Sequence, residues 1–143
     1  MSATVYIAGP MRGRPLFNFP AFDRVAKLFR DLGFRVISPA EMDREIDGTD
    51  AAKKAAHGFE TYMRRDLRVI LEECHGIVLL EGWEGSLGAN VELTLARALG
   101  LVVFQEDGAY AVPAPEPFLF GPTRASILFN YQRPITTGEE TTK

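Results

Sequence analysis

A parallel α/β sandwich is the fold class this sequence predicts, and three observations predict it. Short runs of β-branched and aromatic residues alternate with amphipathic stretches of helical period. The short runs are continuously apolar, which suits strands covered on both faces. Glycine or proline marks most of the junctions between them. The chain has 143 residues, 46% of them apolar, enough for one ordinary domain with a core of its own. It carries no internal repeat and no interdomain linker, so residues 1–143 read as a single domain.

Taken in order, Thr4 to Ala8 (TVYIA) is the first predicted strand, ended by Gly9-Pro10. The loop Gly9 to Phe19 carries Arg12, Gly13 and Arg14, and Phe17 and Phe19 flank Asn18. Asn18 is the expected N-cap of the following helix, with Pro20 in its first turn. Phe22, Val25, Ala26, Leu28, Phe29 and Leu32 recur at helical spacing, and Gly33 stops the helix. Phe34 to Ser38 (FRVIS) is a second strand, closed by Pro39. Residues 39–58 have no clear period and read as a long mobile loop over the strand ends, with room for one short helical turn.

Phe59 to Glu73 is a helix whose stripe is Tyr62, Met63, Leu67, Ile70 and Leu71. Gly76 to Leu80 is the third strand. The turn Gly82 to Gly88 follows it and opens an amphipathic run from Val91 to Leu99; Leu101 to Phe104 is the fourth strand. This order of elements predicts a Rossmann-like (flavodoxin-like) three-layer sandwich, with right-handed crossovers and a parallel sheet of four to five strands. In such sheets ligands lie beyond the carboxyl ends of the strands. Three stretches fall there: Gly9 to Phe19, Pro39 to Gly58, and Gly82 to Gly88. Residues from about 105 to 143 read as a C-terminal arm or helix. Its aromatics (Phe118, Phe120, Phe129, Tyr131) either pack on a second subunit or cover the last strand.

Composition narrows the function. With 19 acidic against 16 basic residues the net charge is −3, which argues against a nucleic-acid binder but leaves room for a small anion held by local arginines. The single cysteine, Cys74, excludes an intramolecular disulfide and reads as a packed small side chain. His57 and His75 are far apart in sequence and no cysteines are paired, so no metal-site spacing is present. There is no basic-then-apolar leader pattern, and no apolar run approaches about 18 residues. The expectation is a cytoplasmic protein with no membrane contact.

The stretch GWEGSLGANVE (82–92) is the strongest candidate for chemistry. A Gly/Ser-rich turn between a strand and a helix leaves backbone N–H groups at the positive end of the helix dipole, ready for an anion such as phosphate. Glu92 lies about one turn further on. The same residues also fit a plain βα turn whose glycines serve its bends. Tyr6 fits a core strand residue, Arg12 and Arg14 fit either a phosphate fork or solvent, and Asp66 between Arg65 and Leu67 fits a solvated ion pair.

Set in order, YIAGPMRG (6–13), Asp66 and GWEGSLGANVE (82–92) resemble the nucleoside 2-deoxyribosyltransferase superfamily. Within it the chain is most similar to the deoxynucleoside 5′-monophosphate N-glycosidase branch, and to short phage and bacterial proteins of unknown function of the DUF4406 type. The resemblance spans about residues 4–104. It implies cleavage of an N-glycosidic bond by double displacement, without metal or cofactor. Glu92 would be the nucleophilic carboxylate, Asp66 the acid that protonates the departing base, and Tyr6 the residue that orients Glu92. Gly9, Arg12, Gly13, Ser86 and Gly88 would hold a 5′-phosphate, and Phe17, Phe19 and Trp83 would stack on the base or else form a hydrophobic lid.

The chain departs from the family pattern in two places. His75 stands where an acid often precedes the third strand, and the following turn lacks an aspartate for which Glu84 is a possible substitute. The resemblance further implies a homodimer or higher homo-oligomer, with Ser126 and Asn130 as conceivable donors to a neighbouring site. Three activities follow as expectations: hydrolysis of a (deoxy)nucleoside 5′-monophosphate, base exchange between nucleosides, or nucleotide binding without turnover.

Overall fold

The computed structural model describes residues 3–47 and 58–111. At its centre lies β1 (Thr4–Ala8), buried along its whole length. Side chains alternate across a strand, so Val5 and Ile7 enter one core while Tyr6 and Ala8 enter the other. The strands β2 (Arg35–Ile37), β3 (Gly76–Leu79) and β4 (Val102–Gln105) join β1 in one parallel sheet of order β2-β1-β3-β4. Tyr6 pairs with Ile37 on one side and Ile77 on the other.

Helix α1 (Phe19–Asp31) covers the Val5 face with Phe22, Val25, Ala26 and Phe29. On the Tyr6 face lie α3 (Phe59–Glu73) and α4 (Leu87–Ala98), which contribute Ile70, Ala89, Leu93 and Ala96. The result is the predicted α/β three-layer, Rossmann-like sandwich, with four strands among the described residues. Beyond β4, Tyr110 turns back to form one antiparallel bridge with Phe104, their rings stacked at 5.4 Å.

Four local expectations change. Residues 39–47, expected in a mobile loop, form the helix α2 (Pro39–Asp47). Its inward face consists of Pro39, Ala40, Asp43 and Asp47, so no apolar period announces it. Leu28 and Leu32, expected in the apolar stripe of α1, and Leu71, expected in that of α3, are exposed. Asn18 precedes α1 but does not cap it: its backbone is left-handed (φ 60°), and its amide donates to the Pro10 carbonyl at 2.9 Å. That bond ties the two ends of the β1–α1 loop together. Finally α4 begins at Leu87, four residues before the predicted run, because Ser86 caps it. The remainder of the expected 39–58 loop, and the C-terminal arm with Phe118, Phe120, Ser126, Phe129, Asn130 and Tyr131, lie outside the described residues. Among those described, no helix is long and apolar enough to cross a membrane.

Candidate active site

Strand order places the site. The sheet extends from β1 to β2 in one direction and through β3 to β4 in the other. The loops after β1 and β3 part there, opening a crevice beyond the strands' carboxyl ends. A cavity of about 760 Å³ occupies this crevice. Tyr6, Asp66 and Glu92 line its buried end; Gly9, Arg12, Gly13, Ser86, Leu87 and Gly88 line its rim. Phe17, Phe59, Tyr62 and Met63 supply apolar wall.

Three elements deliver the buried group. The Tyr6 ring projects from β1 with no solvent exposure, and its hydroxyl donates to the Glu92 carboxylate. Glu92 comes from the second turn of α4, on the face that carries Ala89, Leu93 and Ala96. Asp66 comes from α3 and lines the same end of the cavity. Glu92 is 5% exposed and Asp66 6%, so neither is the solvated surface acid that a helical carboxylate usually is.

Burial disfavours a charge, and here it acts on both carboxyls. It pushes Glu92 well above the usual carboxylate range, and the negative charge of Asp66 adds to that. The bond from Tyr6 and the charge of Arg65 oppose it. Burial likewise raises Asp66, with Arg65 pulling the other way. The Tyr6 hydroxyl is pushed up by burial, then by Glu92 and Asp66. Asp66 therefore suits a proton donor. Glu92 suits a nucleophile only as an anion, and the Tyr6 hydrogen bond is the contact that favours that form.

A second layer was not legible in the sequence. Arg65 Nε and Nη2 lie 2.8 and 2.7 Å from Asp66 Oδ1, and Nη2 lies 2.7 Å from Oδ1 of the buried Asp43 on α2. One turn later on α2, Asp47 accepts a 2.7 Å bond from the Tyr62 hydroxyl. Acids at 43 and 47 share one helix face, a spacing that would have signalled this packing had α2 been recognised.

The rim combines packing with exposed donors. A side chain at Gly9 would put its Cβ 2.7 Å from Leu80 Cβ, so glycine is needed for the closure of β1 on the end of β3. Arg12 is exposed, and its Cζ stands 5.2 Å from the Phe59 ring centroid, a cation–π contact that keeps the guanidinium at the cavity mouth. Ser86 Oγ accepts the Ala89 N–H at 3.2 Å. The N–H groups of Leu87 and Gly88, first in the helix, have no intrahelical partner. Asn90 holds the preceding turn by donating to the carbonyls of Ser86, Glu84 and Trp83 at 2.7, 3.0 and 3.3 Å.

Other sequence candidates lie elsewhere. Arg14 turns from the cavity and fills the space that a side chain at Gly82 would need. Phe17 lines the cavity, but Phe19 and Trp83 do not. Phe19 starts α1 and packs against the Val5-face core, while Trp83 packs against the Tyr6-face core. Glu84 is exposed on the turn. His75 Nδ1 accepts the Thr4 N–H at 3.0 Å, a structural bond at the base of the sheet. Cys74 is buried, which pushes its thiol up to about 12. Among the described residues no group of three or more His, Cys, Asp or Glu is arranged to hold a metal ion.

Fold and site together define a class: a parallel α/β domain with a tyrosine and two carboxyls buried beneath a cavity at the switch point of its sheet. The chain belongs to the family described as a domain of unknown function (DUF4406), which matches residues 3–105 and so takes in every residue of the cavity. No curated protein matches the chain.

Proposed function

We propose that the protein hydrolyses the N-glycosidic bond of a (deoxy)nucleoside 5′-monophosphate in the cytoplasm, releasing a nucleobase and a sugar 5-phosphate. The observation that carries this reading is the convergence of Tyr6, Asp66 and Glu92, from three separate elements, beneath one cavity. The rim supports the phosphate part: Arg12 and the first N–H groups of α4 are donors for an anion. The apolar wall suits a base.

In this reading the Glu92 carboxylate attacks C1′ as the bond to the base breaks, and Asp66 gives its proton to the departing nitrogen. The oxocarbenium-like transition state carries positive charge at the sugar, which the Glu92 anion stabilises before the ester forms. Water then attacks C1′ and passes a proton to the Asp66 carboxylate, and Glu92 is released. Tyr6 keeps the Glu92 carboxylate oriented through both steps.

Incubation with a panel of nucleosides and 5′-monophosphates, with and without an acceptor base, tests the proposal by chromatography of the released base. Release from monophosphates without acceptor is expected. Exchange that requires an acceptor would instead make the protein a deoxyribosyltransferase, and stabilisation by a nucleotide with no turnover would make it a binding protein. Glu92→Ala should lower turnover by on the order of 10³-fold or more; wild-type turnover in that variant would end the mechanism.

A further inference from the structure

Arg65 and Asp43 have no part in the steps above, yet they sit against the group that carries them. At the cavity floor the Tyr6 hydroxyl donates to Glu92, and Asp66 lines the same end. With one proton between the two carboxyls, two arrangements are open. Either Asp66 is protonated and Glu92 is the anion, or Glu92 is protonated and Asp66 is the anion. Only the first has both an acid and an anionic nucleophile, and the donation from Tyr6 to the Glu92 carboxylate fits it.

Arg65 favours the second, because its Nε and Nη2 both approach Asp66 Oδ1. Asp43 opposes this: its Oδ1 shares the same Nη2 at 2.7 Å, and its own negative charge faces Asp66. Arg65 Nη1 is buried with no hydrogen-bond partner among the described residues, so the fork is not fully bound to either acid. Among the described residues, the charged and titratable groups that face Asp66 are Asp43 from α2, Arg65 from its own helix, Tyr6 from β1 and Glu92 from α4. Tyr62 is nearby, but its hydroxyl is engaged by Asp47.

We propose that Asp43 and Arg65 are a positioning pair: Asp43 draws the guanidinium from Asp66, so that the single carboxyl proton rests on Asp66 and Glu92 is left anionic. This rests on the glycosidase reading, but its first test does not. In the full-length protein, carboxyl ¹³C signals of labelled Asp and Glu report the titration midpoints of Asp66 and Glu92 directly. Asp43→Asn leaves the Arg65 charge to Asp66, so the Asp66 midpoint should fall and that of Glu92 should rise. Arg65→Gln removes the charge, and the Asp66 midpoint should rise. Opposite signs are the signature, since general damage to the site would move Asp66 in one direction for both variants. Shifts of the same sign, or none with Asp43→Asn, overturn the proposal. If Asp43→Asn does not fold, an unchanged or lowered Asp66 midpoint in Arg65→Gln overturns it alone.

Turnover supplies the second test. Asp43→Asn should lower kcat/KM on a nucleoside 5′-monophosphate by on the order of 10²-fold, the typical worth of a general acid. A sugar 5-phosphate with p-nitrophenolate as leaving group needs no acid. On that substrate the variant should regain the wild-type rate as rising pH deprotonates Glu92. Equal losses on both substrates at all pH values count against the pair. Wild-type protein that cleaves neither substrate counts against the glycosidase reading, and the ¹³C titration still decides the roles of Asp43 and Arg65.

Discussion

Glu92 is an acid on the core-facing side of its helix, where burial works against the charge the chemistry needs. Because the folded chain holds this proton more tightly than the unfolded chain, it binds more protons than the unfolded chain from the ordinary glutamate range upward. The stabilisation is therefore complete below that range and is lost as pH rises through the folded midpoint. Glu92→Gln removes the titration while its amide oxygen still accepts from Tyr6. The variant should melt higher than wild type at about pH 8, by roughly 4 °C per kcal/mol recovered in a domain of this size. The gap should close towards about pH 4, where the wild-type group is protonated in both states. Thermal melts across pH check this, and a gap that widens on acidification would reverse the sign of the burial effect. Sequence alone brought Tyr6, Asp66 and Glu92 forward through their order along the chain. Their burial was invisible, since whether Asp66 lies beside solvent or beside Tyr6 depends on how α3 meets the sheet.

At the scale of elements, the N-terminus of α4 carries two roles on one side chain. Ser86 caps the helix through the Ala89 N–H and also lines the rim of the cavity. Ser86→Ala should cost about 1 kcal/mol, roughly 4 °C in melting temperature, from the lost cap. Ser86→Asp separates the roles: aspartate caps equally well, so stability should hold, but its charge would face a bound phosphate. Affinity for a nucleoside monophosphate should then fall at least about 10-fold while that for the nucleoside changes little. Equal affinities before and after would remove phosphate from this helix end. The strands were legible as short, continuously apolar runs, and α1, α3 and α4 through apolar residues recurring at helical spacing. Helix α2 was not, because its supports are distant charges: Arg44 binds Asp23 at 2.8 and 3.0 Å, Arg30 binds Glu41 at 2.6 and 2.8 Å, and Asp43 binds Arg65. No local pattern encodes partners 11 to 22 residues away.

Over the whole molecule, the order β2-β1-β3-β4 brings the β1 loop, α3 and α4 to one crevice, so a ligand there would bridge segments far apart in the chain. The alternation of elements predicted this sheet class, and the carboxyl-edge rule predicted where its loops meet. The exclusion of Phe19 and Trp83 could not be foreseen, because it follows from how each ring packs into its own core. Bridging makes ligand binding a global stabiliser. A ligand at 100 times its dissociation constant adds about 2.7 kcal/mol, or roughly 10 °C for this length. The Glu92→Gln protein is the host for this measurement, since it should bind without turnover. A nucleoside 5′-monophosphate should raise its melting temperature more than the matching nucleoside at equal concentration. Adding Arg12→Ala should erase most of that difference and leave the nucleoside shift intact, because Arg12 stands at the rim against Phe59 and away from the buried carboxyls. If both shifts shrink together, Arg12 shapes the cavity wall through Phe59 and the phosphate is held elsewhere.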